Sequence, residues 1–120
     1  MRDPHERVRD MIRAIGNIDR RAGRGRAGFD TDELVQTFVV YHLQTMSEAA
    51  YKMPAEFCAA WPGVPWAKIQ GMRHILVHDY YRIDLDIVWN VVENELPGLR
   101  AGLDAILRAV APAEGGGDGE

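Results

Sequence analysis

Apolar residues recur along this chain at steps of three and four, and nowhere alternate at period two. That pattern predicts amphipathic helices and no strands. Val8, Met11, Ile12, Ile15 and Ile18 mark a first helix over 4–22, which runs out in the glycine-containing basic loop "RRAGRGRAG". Asp30, with Glu33 three residues on, has the form of a capping box and predicts the start of a second helix over 31–52. Its apolar stripe is Val35, Phe38, Val39, His42, Met46, Ala49, Ala50 and Met53, interrupted only by the histidine. Pro54 opens a short helix over 54–60 that "WPGVP" ends, and Pro65 opens a fourth helix over 65–80. Asp84 caps a fifth helix over 85–110, with Leu85, Val88, Val91, Val92, Leu96, Leu99, Leu103, Ile106 and Val110 facing inward. Within it, "LPGL" at 96–99 predicts a kink or a split. The expected fold class is all-α, an up-and-down bundle of four to five helices.

Composition narrows this to one folded domain, residues 1–110, followed by a disordered tail, 111–120, whose "APAEGGGDGE" offers nothing to bury. Apolar residues are 47% and charged residues 27% of 120, a globular balance. No apolar run reaches the roughly 18 residues of a membrane span, and "MRDPHERVRD" lacks the apolar region of a secretory signal. Cys58 is the single cysteine, so no internal disulfide forms and a cytoplasmic location is expected. The net charge of −4 does not describe a chain that coats nucleic acid. Yet residues 1–26 carry Arg2, Arg7, Arg9, Arg13, Arg20, Arg21, Arg24 and Arg26 against four acids. That basic end is either a solvated face or a surface for phosphates, and the loop Arg20–Arg26 is its densest part.

Candidate chemistry is concentrated in "RHILVHDYYR", residues 73–82. On a helical wheel Ile69, Met72, Leu76 and Tyr80 share one arc with Arg73 at its edge, and Gly71, His74, Ile75 and His78 take the other side. A helix apolar or aromatic on most sides is covered on two faces, which points to a second copy of the chain. Arg73 and His78 lie about 140° apart on a regular helix, and a two-fold axis would bring both copies of the patch together. Three readings of these residues compete. His74 and His78 stand at the i, i+4 spacing of a metal pair, but Ile75 replaces the glutamate of H-E-x-x-H and two ligands do not make a zinc site. Alternatively Arg73 pairs with a carboxylate and the histidines are satisfied at an interface. In the third reading Arg73 clamps a phosphate and His78 moves a proton, cleaving RNA through its own 2′-hydroxyl without a metal.

"GMRHILVHDY" resembles the R-x4-H-x-Y signature of the HEPN superfamily, in particular the HepT group of bacterial toxins. The likeness extends through "VPWAKIQGMRHILVHDYYRIDLDIVWNVVENELPGL" and "SEAAYKMP", covering roughly residues 5–108. It implies a dimeric helical bundle whose paired motifs line a cleft, acting as a metal-independent endoribonuclease with no cofactor. Arg73 and His78 stand at the motif's catalytic positions. Tyr80 stands at the tyrosine that accepts AMP groups from an MntA-like nucleotidyltransferase antitoxin. His74 and Glu48 are implied in supporting roles. The resemblance also leaves a non-catalytic alternative, a helical subunit that only binds a nucleotidyltransferase.

Overall fold

The computed structural model describes residues 3–77 and 84–118, with side chains over 3–72 and 84–109. Among the described residues every regular element is helical: α1 Pro4–Ala22, α2 Arg26–Asp30, α3 Glu33–Tyr51, α4 Ala55–Ala60, α5 Trp66–Val77, α6 Leu85–Asn90, a π-helical turn Val91–Glu95, and α7 Leu96–Asp118. The all-α expectation holds, and α1 has the bounds its periodicity predicts. Asp3 starts it, its carboxylate accepting from the His5 backbone N–H at 2.8 Å, with Pro4 supplying a preset φ in the first turn.

The basic loop is more ordered than its glycines predict. Gly25 takes a left-handed φ of 91°, a conformation glycine adopts at no steric cost, and this turns the chain into α2. Phe29, 1% exposed, anchors α2 in the core with its ring 5.3 Å from that of Trp89. The start of the next helix therefore falls two residues beyond the predicted cap. Asp32, not Asp30, is the N-cap of α3, accepting from the backbone N–H groups of Leu34 at 3.0 Å and Val35 at 3.2 Å. Asp30 instead ends α2 and accepts from Arg26 Nε at 3.0 Å. Asp32→Ala is accordingly expected to cost about 1 kcal/mol, while Asp30→Ala removes only a surface ion pair worth about 0.5 kcal/mol or less. Chemical denaturation of the two variants checks the order; equal effects would contradict the cap assignment.

α3 packs on α1 along one flank and on α5 along the other, and α1 packs in turn on α7. This placement moves the buried line of α3. Val39, Met46, Ala50 and Met53 are buried as the stripe predicts, but Leu43 and Ser47 join them, while Val35, Phe38, His42 and Ala49 are half-buried. The burial of Ser47 is satisfied by its Oγ donating to the Gln70 carbonyl at 3.3 Å. Gln70 returns a bond from Nε2 to the Ala50 carbonyl at 3.0 Å. With Ile69 and Met72 buried beneath it, the first half of α5 is fixed on α3 by both packing and polar bonds. Full burial of each such aliphatic side chain stabilises the fold by about 1.5–3 kcal/mol.

The last helical stretch is interrupted, though one turn earlier than "LPGL" suggests. The ring of a helical proline crowds the carbonyl four residues before it, here that of Glu93. The π-helical turn Val91–Glu95 lies just ahead of Pro97 and widens the helix, so that the Leu96 N–H bonds the Val91 carbonyl five residues back. Helix α7 then restarts and crosses Pro97 and Gly98 without a break. Leu96, Leu99, Leu103 and Ile106 are buried along it, and a Cβ at Gly102 would lie only 3.1 Å from Val64 Cγ2. The backbone of α7 continues to Asp118, into the glycine-rich tail, while the last of its described side chains packed on the core is Leu107.

Candidate functional site

α5 carries the candidate site, and its anchoring determines where the motif is presented. Pro65 precedes its first turn, Trp66 Nε1 donates to the Trp61 carbonyl at 3.0 Å, and Lys68 Nζ pairs with Glu95 Oε1 of the π turn at 3.0 Å. These ties fix α5 to the 54–65 connection, to α3 and to the final helical stretch. Arg73 and His74 follow on the same helix, which is traced to Val77. His78 and Tyr80 lie outside the described residues, as do the side chains of Arg73 and His74. On the far side of the motif Asp84 caps α6 by accepting from the Ile87 N–H at 3.2 Å. The segment 78–83 therefore joins two helices that are each held at a defined end.

Gly71, immediately before Met72 and Arg73, has no atom of another described element within 4 Å of where a Cβ would stand. A glycine inside a helix costs about 1 kcal/mol relative to alanine, and no neighbour among the described residues requires it. Between α5 and α6 lies a mostly apolar cavity of about 400 Å³, lined by Met72, Ile87, Asn90 and Val91 among others.

Glu48, the remaining predicted residue, is exposed on α3. It lines the groove between α1 and α3, whereas Ser47 and Ala50 beside it line the flank that meets α5. His42 lies in the same groove as Glu48, half-buried, its ring 4.3 Å from Phe38 and 5.2 Å from Tyr41. Burial pushes the His42 pKa below its ordinary value, because desolvation disfavours the charged ring. Cys58 is half-buried, and burial likewise raises its thiol pKa; this is the environment of a packing residue rather than of a reactive thiolate.

The basic end divides into separate parts. Arg26 is committed to structure, its Nη2 donating to Asp86 of α6 while its Nε reaches both Asp30 oxygens at 3.0 and 3.1 Å. Arg20 donates to Asn17, and the Arg21 guanidinium sits 5.2 Å from the centre of the Phe38 ring. The i, i+4 spacing of Arg26 and Asp30 was the available sign that part of this charge closes on itself. Among the described residues no group of three or more His, Cys, Asp or Glu is placed to hold a metal ion. None of their helices is long and apolar enough to cross a membrane.

Relatives extend what the helices alone indicate. Residues 11–106 match the family model described as ribonuclease HepT-like. A protein of Caldanaerobacter subterraneus subsp. tengcongensis, named as a candidate RNase, is 32% identical over 91 residues, covering 76% of this chain and 81% of its own. Another, from Methanocaldococcus jannaschii, is 26% identical over 101 residues, covering 84% of this chain and 87% of its own. The solved structure of a tri-AMPylated HEPN toxin of Shewanella oneidensis, in complex with an MNT antitoxin, superposes with a TM-score of 0.64 at 26% identity. That match covers 88% of this chain and 98% of the toxin. A helical bundle whose sequence carries R-x4-H-x-Y from Arg73 on, matched along most of its length, belongs to the HepT-like ribonuclease family of the HEPN superfamily.

Proposed function

We propose that this chain is the toxin of a toxin–antitoxin pair, a cytoplasmic, metal-independent endoribonuclease that works as a homodimer. The observation that carries the reading is the family match across residues 11–106, which contains Arg73, His78 and Tyr80 at the motif spacing. The open space beside Gly71 supports a second copy approaching α5, so that two motifs share one cleft.

The chemistry follows from the residue types. The 2′-hydroxyl of the substrate attacks the adjacent phosphorus, the bond to the 5′-oxygen breaks, and a 2′,3′-cyclic phosphate remains. The 2′-hydroxyl gives up its proton and the departing 5′-oxygen takes one; His78 relays it, since histidine's ordinary pKa lies near neutrality. Arg73 holds the non-bridging oxygens with its planar fork and neutralises the charge that builds on them. His74 acts in support, in orientation rather than proton transfer, whereas Glu48 lines the α1–α3 groove on the other flank of α3.

The partner is a nucleotidyltransferase antitoxin that transfers AMP to Tyr80; the tri-AMPylated state of the structural relative and its MNT partner support this. Seven residues beyond Arg73, a tyrosine on a continuing helix stands above the arginine. AMP there brings a phosphodiester that competes for the guanidinium and a base that obstructs the cleft. Tyr80→Phe is expected to cleave RNA like the wild type yet resist the antitoxin in a growth-rescue assay. Normal rescue of that variant would contradict the assignment, and AMP found on Tyr81 would move it by one position. The net charge of −4 and the complex formed by the structural relative favour a second reading, a non-catalytic subunit that binds the nucleotidyltransferase. Growth arrest on expressing this chain alone fits only the toxin.

A further inference from the structure

The groove between α1 and α3 has features that the motif on α5 does not use. It encloses about 430 Å³ and is walled by Arg7 and Arg13 of α1 and by Tyr41, His42, Glu48 and Lys52 of α3. Its cations gather on both walls: Arg13 is 71% exposed though it touches Asp10 at 3.2 Å, and Lys52 is exposed on the opposite side. Past Asn17, Arg20 and Arg21 continue the basic wall toward the end of α1. From Arg7 to Arg21 this wall spans about 21 Å at the rise of an α-helix, longer than one nucleotide needs.

Two rings of α3, Tyr41 and His42, line the groove. Tyr41 meets His42 edge-on at 5.2 Å with an interplanar angle of 82°, and Phe38 backs His42 at 4.3 Å. Tyr41 is 59% exposed, so much of its ring is open to a ligand. Half-buried and desolvated, His42 stays neutral at neutral pH and presents a ring rather than a charge. Cationic walls flanking exposed rings are the combination that holds unpaired nucleotides: arginines and lysines follow the phosphates while bases stack on the rings. Glu48 adds an acceptor suited to a base amino group or a ribose 2′-hydroxyl.

We propose that the α1–α3 groove is a binding track for single-stranded RNA, distinct from the cleavage motif, which positions the strand on either side of the bond to be cut. The proposal rests on the ribonuclease reading for its biological sense but not for its test. α3 separates the track from α5, and a helix is only about 10–12 Å across with its side chains. A strand crossing the outer face of α3 therefore meets both. On a chain of net charge −4, the groove gathers Arg7, Arg13 and Lys52 beside the rings, against Asp10 and Glu48.

The test uses the full-length chain bearing His78→Ala, so that RNA stays uncut, and reads anisotropy of a labelled, unstructured RNA of about 12 nucleotides across a salt series. Adding Arg7→Ala, Arg13→Ala and Lys52→Ala together is expected to weaken binding tenfold or more. It should also lower the slope of log affinity against log salt by about 2, the effect of three lost phosphate contacts on a single strand. Tyr41→Ala, at an exposed position that folding does not depend on, is expected to weaken binding about tenfold with the slope unchanged. Unchanged affinity in both variants overturns the track, as does duplex RNA of the same sequence competing as well as the single strand. The two readings fail separately. Groove-dependent binding beside a wild type that cuts no RNA would remove the ribonuclease and leave the track. Active cleavage beside groove variants of unchanged affinity would do the reverse.

Discussion

Replacing Arg73 or His78 by alanine is expected to lower kcat/KM for RNA cleavage by about 10²–10³ or more each. In the proposed mechanism the two residues serve one transition state. The cyclising phosphate gains charge on its non-bridging oxygens as the 2′-oxygen closes on phosphorus, and a guanidinium fork meets that charge with two parallel bonds. Without it, the dianionic phosphorane faces water alone. His78 covers the proton movement that the leaving 5′-oxygen requires. Because both act on the same step, the double variant is expected to lose little more than the worse single one. Arg73→Lys separates charge from geometry: it keeps the cation but loses the fork, and is expected to fall between wild type and alanine. Two controls are needed, that each variant retains the helical spectrum and the oligomeric state of the wild type. Full activity in either alanine variant with both controls met would place the chemistry elsewhere.

The largest expected effect on stability lies far from the motif, at Phe29. Phe29→Ala removes a ring that is 1% exposed and packed at a tilt against Trp89, at a cost of about 3–5 kcal/mol. That is a large share of the roughly 5–15 kcal/mol by which a domain is stable. For a chain of this length it corresponds to a fall in Tm of about 10–20 °C, measured at fixed concentration because association would shift it. The loss is expected to reach beyond the cavity. Phe29 is the buried anchor of α2, and α2 presents Arg26 to Asp86 at the start of α6, the helix that follows the motif. Leu34→Ala is the matched control, since Leu34 is 83% exposed and its truncation should change stability by no more than about 0.5 kcal/mol. Comparable losses in the two variants would contradict the packing described here.

What the chain reveals before its structure depends on whether a signal is local. α1 could be read to its ends because its apolar period runs uninterrupted over 4–22, and the structure adds the Asp3 cap and Pro4 that fix its start. α2 could not, because five residues carry no period, and the glycines around Phe29 resemble those of an unstructured loop. The same gap displaced the cap of α3 from Asp32 to Asp30: both aspartates fit, and only the three-dimensional commitment of Asp30 to Arg26 decides. Pro97 signalled an interruption correctly, but its strain is taken up in the preceding turn, which composition does not reveal. The burial of Leu43 and Ser47 depends on α3 having two neighbours, a fact that lies in tertiary packing and not on one helical wheel.

The candidate site was legible in a different way. Spacing alone left Arg73, His74 and His78 open between a metal pair, an interface and a catalytic centre, since residues five apart do not share a helical face. The longer resemblance around the motif implies the catalytic reading, and the family match places the chain in the HepT-like ribonuclease family. Helix α5, tied to α3 through Ser47, Gln70 and Ala50, shows why the motif has a rigid base. The α1–α3 groove was hidden because its arginines belong to one helix and its rings and Lys52 to another. The sequence shows arginines in α1 and aromatics in α3, and only packing makes them one surface.

The central claim is best tested by incubating the purified, unmodified chain with single-stranded RNA in EDTA and determining the chemistry of the product ends. Cleavage that proceeds without divalent metal and leaves 2′,3′-cyclic phosphates is the predicted result, since the 2′-hydroxyl is the nucleophile. No cleavage, or cleavage that requires an added divalent ion, would contradict the account.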